Sequence, residues 1–543
     1  MKRDSVFFLV LAALALLKLA LVSDLSPIVV FSPHDDSLYV TRAFHLLNGA
    51  GFGPYDARVL AKLPGMSLWL AGLRSLGLPY LPCLNLLYAA AGLYLLWALR
   101  RCGVGRVALG AIFALYLFNP VTMGAEWVRT IREPMTTVLL VATVAAMLQV
   151  LVLSREQKPF RAHLIVLSGL LAFSMLMREE DRLLWALLAL FLGALWFGAG
   201  QRSLARLAVI ALVPALSMVA VDYAARHTME RWYGLPILHD YGEGEYPRML
   251  AAIRGIVTAK DNRLVMVTQE ALAKLRTEVP EFAPVVDRLP PPGARTLSCR
   301  LQGVCSEWSN GWMPFWIKDA AADAGLTPTL PAAQAYFRLV RERIEAACSA
   351  GRLKCADRGA GFLLPFELRW TRAYVQTLGH VLGMALVPQP NTISEPAVRF
   401  KVSTELGRMY QAVTMTNGFD ALRETSLSDD GGRLAPNPLA PLRTTMVVPF
   451  QLLAALLLVA SLAALVYRWA RSGALPPGPL LWIATVFYVF TALRVSALAY
   501  VGITLGPFDP RIVISSHVVA LVFAPLLMVE AWRAHRAWRQ AIK

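Results

Sequence analysis

Charge is what this 543-residue sequence has least of: 16% of its residues are Asp, Glu, Lys or Arg, against 57% hydrophobic. Soluble domains carry roughly 25% charged residues, so an ordinary soluble protein is excluded first. Cysteine is also scarce, with six in all, and none stands at a zinc-like Cys/His spacing. There is no Walker loop, no GxGxxG and no internal repeat, which removes P-loop, dinucleotide and solenoid readings. Acids are outnumbered 36 to 53, for a net charge of +17. In a soluble chain that excess would raise nucleic-acid binding. Here the bases cluster in short loops between apolar runs, where orientation in a membrane accounts for them and no nucleic-acid partner is expected.

Long apolar runs dominate what is present, and mean hydropathy is +0.51. A bilayer core of about 30 Å takes roughly 20 apolar residues as helix. Spans are expected near 6–23, 80–99, 106–121, 135–153, 163–178, 183–199, 204–222, 445–468, 478–500 and 510–531. Met1-Lys-Arg before the first run has the look of a signal peptide, but the run is long and no small-x-small cleavage site follows, so an uncleaved span is preferred. Ten spans put both termini on one side. Arg100–Arg106, Arg155–Arg161, Arg202–Arg206, Arg468–Arg471 and the Arg533–Lys543 tail all fall on that side, which is therefore cytoplasmic. Residues 369–388, with Arg372, Gln376 and His380, read as an amphipathic surface helix, because a further span would reverse the tail. The expected organisation is a seven-span part (1–222), a large mainly helical outer domain (223–444) and a three-span part with a basic tail (445–543).

The outer side receives the acids. After the first span, Ser32-Pro33 reads as N-cap and first residue of a short helix with Leu38, Phe44, Leu46 and Leu47 as its apolar side, ended by Asn48-Gly49. A second short helix is expected from Lys62-Leu-Pro-Gly65 to about Leu76. Asp35 and Asp36 open the first helix. Adjacent helical residues point about 100° apart, so one of the two is expected to face a shared cleft; acids in a first turn also simply complement the helix dipole. Arg58 and Lys62 stand beside a turn where a cation can hold a phosphate or a lipid headgroup. Charge is dense in Glu126-x-x-Arg129-x-x-Arg132-Glu133 and in Arg178-Glu179-Glu180-Asp181-Arg182, and the latter turn is expected to be buried under the outer domain. Asp509-Pro510-Arg511 opens the last span from outside.

Cys299, Cys305, Cys348 and Cys355 lie in the outer domain, and their even count and short spacings point to two local disulfides in an oxidising compartment. The pairing 299–305 with 348–355 is one of three connectivities. Cys83 and Cys102 fall in or near spans as inert thiols. Residues 332–350 read as a helix with Phe337, Val340, Ile344 and Ala347 as its apolar stripe. Trp308, Trp312, Phe315 and Trp316 fit core or membrane-interface positions better than a sugar-stacking platform.

Taken in order and on one side, His34-Asp35-Asp36-x-x-Tyr39, Lys62-x-Pro64-Gly65-x-x-x-Trp69, Asn119-Pro120 to Glu133, Met177-Arg178-Glu179-Glu180 and Arg511 resemble the GT-C superfamily of polyprenyl-phosphate-sugar-dependent glycosyltransferases. The chain is similar to the aminoarabinose transferases and protein O-mannosyltransferases over residues 1–222 and 445–531. The resemblance implies an inverting transfer on the periplasmic face of a bacterial inner membrane. Asp36 or Asp35 would be the general base, and Lys62 with Arg58 and Arg511 would hold the donor phosphate. His34, Tyr39, Glu126, Glu133, Arg178 and Glu179 would shape the sugar pocket. The partners implied are a polyprenyl-phosphate-linked sugar, membrane lipids, and a periplasmic glycan, lipid or protein acceptor. No cofactor is implied, although some relatives use a divalent metal, for which Asp35, Asp36 and Glu126 offer oxygen ligands. The chain departs from those relatives in placing its outer domain before the last three spans. Two other readings stay open: a glycan polymerase or ligase with a lipid-diphosphate donor, and a lipid-linked sugar flippase, which would place charges at mid-span in repeat-related broken helices.

Overall fold

The computed structural model describes residues 2–28, 32–198, 200, 203–258, 263–291, 299, 303–356, 365–387, 404–415, 437–473, 477–506 and 510–542. Each of the ten expected runs is helical: α1 (Lys2–Leu21), then, past two short helices of the first outer loop, α2 (Asp36–Leu47) and α3 (Gly65–Ser75), come α4 (Tyr80–Arg101), α5 (Arg106–Leu117), α6 (Arg132–Arg155), α7 (Arg161–Ser174), α8 (Leu184–Gly198) and α9 (Leu204–Tyr233). Among the described residues, six helices are long and apolar enough to cross a membrane: Tyr80–Arg101, Arg132–Arg155, Leu204–Tyr233, Ala440–Ala470, Pro479–Leu505 and Arg511–Ala541. These are the dimensions of a helical membrane protein. Ser5–Leu21, Arg161–Ser174 and Leu184–Gly198 are shorter apolar helices. The run expected at 106–121 is broken instead of straight: Arg106–Leu117 and Pro120–Val128 meet at 54°. Pro120 has no N–H to continue the ladder, and the residue before a proline avoids helical geometry; Asn119 is extended, with its side chain capping Val121 N–H. Lys18, buried at the end of α1, stitches this break by donating to the Thr122 carbonyl (3.1 Å) and hydroxyl (2.8 Å).

Packing, not hydropathy, sorts the bundle radially, since α6, Leu204–Tyr233 and Ala440–Ala470 are almost equally apolar, with mean hydropathies of 2.3, 2.2 and 2.3. Helix α6 is apolar on every side and is 94% buried over its most apolar window, whereas Leu204–Tyr233 and Ala440–Ala470 are 17% buried. A helix hydrophobic all round belongs at a bundle centre or against lipid; α6 takes the centre. Helix α9 overruns its expected end at 222 and stops at Tyr233, where Gly234 adopts φ +83°, a conformation that glycine takes without a Cβ clash.

Helix α2 starts later than Ser32-Pro33 implies. The Ser32 carbonyl accepts the Asp35 N–H (3.0 Å) and the Ser32 N–H donates to Ser37 Oγ (3.1 Å), so residues 32–35 form a turn and Asp36 is the first helical residue. Its buried face is Asp36, Ser37, Leu38, Tyr39, Val40, Arg42 and Ala43, while Phe44, Leu46 and Leu47 are half-buried. Helix α3 follows as expected and packs against α2.

The segment 223–444, expected outside and called the outer domain below, contains α10 (Glu245–Arg254), a small antiparallel ladder of β1 (Val265–Val267) with β2 (Trp308–Ser309), α11 (Gln269–Glu278) between those strands, α12 (Met313–Asp323) and α13 (Leu330–Ser349). In α13, Phe337, Val340, Ile344 and Ala347 are all buried, as the stripe requires. They join a core that also takes in Leu38 and Ala61 of the first outer loop, so this domain is packed onto that loop. Trp308 lies in the core, and Trp312, Phe315 and Trp316 are half-buried. Helix α14 (Thr371–Leu386) is the run expected at the surface; it lies along the penultimate helix, half of its residues exposed and Val381 buried. Next come α15 (Thr404–Thr414), packed on α2, then α16 (Val447–Ala470), α17 (Pro479–Leu505) and α18 (Ile514–Ile542).

Cys299–Cys305 and Cys348–Cys355 are bonded, and Cys83 and Cys102 are free. Short cross-links of this kind stabilise by about 2–4 kcal/mol, largely by restricting the unfolded chain. We expect non-reducing peptide mapping to find these two linkages, and Cys348→Ser to lower the unfolding midpoint without loss of the transmembrane fold.

Candidate functional site

The late start of α2 parts the two adjacent acids. Asp36, in the first turn, points inward and its side chain is 0% exposed; both oxygens are held by Arg129, Nε–Oδ1 at 3.0 Å and Nη2–Oδ2 at 2.7 Å. Burial pushes its carboxyl above the ordinary value, and the Arg129 pair only partly offsets this. Arg129 also holds Glu126 at 3.0 Å. Asp35, outside the helix, keeps 22% of its side chain exposed and faces cations from both ends of the chain: Arg511 Nη2 at 3.1 Å from Oδ2 and Lys62 Nζ at 4.0 Å from Oδ1. Burial pushes its carboxyl up, but Lys62, Arg511 and Arg132 outweigh this and hold it below the usual carboxylate range against the opposing charge of Glu133.

The turn carrying Lys62 is fixed on several sides. Asp56 Oδ1 accepts the N–H groups of Arg58 (2.7 Å) and Val59 (2.6 Å). Buried Arg42 donates to the Lys62 carbonyl (2.9 Å), with its guanidinium 4.4 Å from the Phe52 ring centre. Gly65 follows because its N–H reaches the Leu176 carbonyl (2.7 Å), and a Cβ there would lie 2.6 Å from that oxygen. Lys62 Nζ itself makes no hydrogen bond among the described residues. Arg58 does not join it: Arg58 grips Asp319 of the outer domain with both arms (3.2 and 2.9 Å).

Below this lies a buried ionic layer. Arg178 bridges Glu133 (2.9 Å) and Glu180 (2.5 Å), and Arg132 holds Glu179 (2.7 Å) and the Met177 carbonyl (3.2 Å). The charged turn after α7 is thus buried at Arg178, while Arg182 is exposed; the Asp181 side chain and Asp509 fall outside the described residues. Glu179 is held well below its usual value: burial raises it, and Arg132, Lys62 and His239 overcome that. The Tyr39 hydroxyl is fully buried and has no hydrogen-bond partner among the described residues. His34 packs on Phe315 with ring centres 4.0 Å apart and the planes tilted by 43°, and burial, with Arg58 and Lys62 nearby, lowers its pKa to about 3. A neutral His34 means that stability is present above pH 6.5, the unfolded value, and drains away as pH falls from there toward 3. We expect the unfolding midpoint of the wild type to fall over that window, and His34→Phe, which keeps a ring on Phe315, to flatten the decline.

Asp35, Asp36, Lys62, Arg511, Glu133, Arg178, Glu179, Tyr39 and His34 therefore assemble at one face. Arg58 and Glu126 are engaged elsewhere, by Asp319 and Arg129. The ligand set Asp35, Asp36 and Glu126 is divided by Arg129, and among the described residues no three His, Cys, Asp or Glu side chains group as metal ligands would. Two members escaped the sequence reading. Arg494 of α17 reaches Glu180 (3.7 Å) and donates to Ser515 (2.7 Å); its signal was an arginine inside an apolar run. His239 of the outer domain sits 3.8 Å from Glu179 and had no local signal. The outer domain also grips both cation-bearing segments: the Asp240 N–H donates to the Leu60 carbonyl (3.2 Å), while Asn310 and Arg263 donate to the Thr504 and Ile503 carbonyls (3.0 and 3.1 Å) at the end of α17, before Arg511. No family model, no curated protein and no solved structure matches this chain.

Proposed function

We propose that this protein is an inverting GT-C-type glycosyltransferase that moves a sugar from a polyprenyl-phosphate carrier to a glycan, lipid or protein acceptor at the periplasmic face of a bacterial inner membrane. The observation that carries the reading is Asp35, a part-exposed carboxylate set against two cations, Lys62 and Arg511, brought from opposite ends of the chain. The distribution of basic loops supports this reading, since ten spans with cytoplasmic termini would put the cluster outside and those loops inside.

In the reaction, an acceptor oxygen or nitrogen attacks the anomeric carbon and the bond from that carbon to the phosphate oxygen breaks. The acceptor proton passes to a carboxylate, and the phosphodiester monoanion becomes a phosphomonoester dianion. Lys62 and Arg511 stabilise the charge that grows on the phosphate, and fixed cations in a sheltered cleft do this better than water can. Motif position allows either acid; Asp35 is taken as the base, because both oxygens of Asp36 are held by Arg129. Tyr39 and Glu179 offer buried polar groups to the sugar.

The test is the mass of envelope glycans and glycoproteins from cells lacking the protein, complemented with wild type or Asp35→Asn at matched membrane levels. A sugar-sized loss restored by wild type alone supports the reading. Full restoration by Asp35→Asn would remove Asp35 as the base.

A further inference from the structure

An inverting displacement needs the base and the departing phosphate on opposite sides of the sugar ring. In the structure they have no room for one: Asp35 contacts Arg511 directly at 3.1 Å and lies 4.0 Å from Lys62. The carboxylate occupies the position on these cations that the donor phosphate would take. Its place in the chain lets it leave. Asp35 is the N-cap of α2 and its carbonyl accepts the Tyr39 N–H (3.1 Å), so its backbone stays with the helix, anchored through Asp36 on Arg129, while its carboxylate can turn away by side-chain rotation alone. The backbone that carries Lys62 stays in place, because Arg42, Asp56 and the Asp240 N–H hold its turn.

We propose that Asp35 is a built-in anion that the donor phosphate must displace, so that the base is freed only when the donor is bound. This rests on the phosphate reading above and adds a regulation to it. With the cations free to Asp35, the carboxylate is a weak base locked in ion pairs. Once phosphate takes Lys62 and Arg511, Asp35 loses the charges that quench it and gains a negative neighbour, both of which favour proton uptake. Water in the empty site therefore meets a quenched base, and donor binding precedes productive acceptor binding. No atom is transferred in this step; one anion replaces another on the same two cations.

Geranyl phosphate, a short isoprenyl monophosphate, serves as the probe, titrated calorimetrically into the full-length protein in maltoside micelles. Site-to-site couplings commonly span about 5–150-fold, and removing an internal competitor should fall within that range. Asp35→Asn is expected to bind the probe about tenfold more tightly than wild type, and Asp35→Glu to return to wild-type affinity. Lys62→Met is expected to bind about tenfold more weakly, and adding Asp35→Asn to it should recover less than in the wild-type background. Asp35→Ser replaces Asp35→Asn if the latter fails to give a wild-type unfolding midpoint. If wild type binds, Lys62→Met weakens binding, and neutral variants at 35 bind no more tightly, the displacement is wrong while the phosphate site stands. If neither wild type nor the neutral variants bind, the phosphate reading falls and takes this inference with it.

Discussion

Asp35→Asn and Asp36→Asn, one residue apart, should fail in opposite ways. The first is expected to leave the protein folded and at wild-type level in the membrane while transfer drops by about 100- to 10,000-fold, the usual worth of a positioned general base. The second should lose fold before chemistry. Asp36 is fully buried against Arg129, and breaking a buried pair costs about 3–5 kcal/mol. Asparagine keeps one acceptor oxygen and Glu126 still engages Arg129, so the lower end of that range applies to Asp36→Asn. Arg129→Met, which strands the Asp36 carboxylate, should reach the upper end. Unfolding midpoints in micelles and glycan mass in cells, measured on the same three variants, separate the two behaviours. A stable but inactive Asp36→Asn beside an active Asp35→Asn would reverse the assignment.

That division could not be read from the sequence, and the reason is local. Ser32-Pro33 is a strong helix-start signal by residue type, but the Ser32 carbonyl and N–H are spent on Asp35 and Ser37. The helix therefore begins three residues later, and the two acids fall on either side of its start. What hydropathy alone controls was legible: ten apolar runs are helices and α13 buries its stripe. The two disulfides join the cysteines six and seven residues apart, one of three connectivities their number allowed. The partners in the charged site were not, because ion pairs ignore sequence distance. Arg58 looks like a companion of Lys62 until Asp319, 261 residues away, claims it. Arg494 carried a signal, an arginine inside an apolar run, but nothing in that run named Glu180 as its partner, and His239 lay in an outer domain without internal motifs. The identities of most site residues were thus visible as charges on one face, while which charge meets which was a property of the fold.

The outer domain is where that lesson has the largest consequence for stability. Lys318 and Asp240 form an ion pair whose side chains are each 1% exposed, roofed by Tyr241 and Tyr246 with ring centres 4.8 and 5.6 Å from Nζ. Tyr55 of the first outer loop reaches the same carboxylate at 3.4 Å. Lys318→Met would bury an unpaired carboxylate and should destabilise the domain by about 3–5 kcal/mol, whereas Asp240→Asn with Lys318→Met together should recover most of the loss, since a neutral pair carries no stranded charge. The effect should not stay within the domain. The Asp240 backbone N–H holds the Leu60 carbonyl, and neighbouring His239 faces Glu179, so loosening this strip loosens the turn that carries Lys62. Lys318→Met should therefore speed proteolysis in residues 223–286 and also weaken geranyl phosphate binding, though Lys318 is tied to Asp240 rather than to the Asp35 cluster, and the double variant should restore both together. Recovery of stability without recovery of binding would mean that the Lys318 charge itself, not the firmness of the domain, supports binding; recovery of both would mean that the domain holds the turn carrying Lys62 in place.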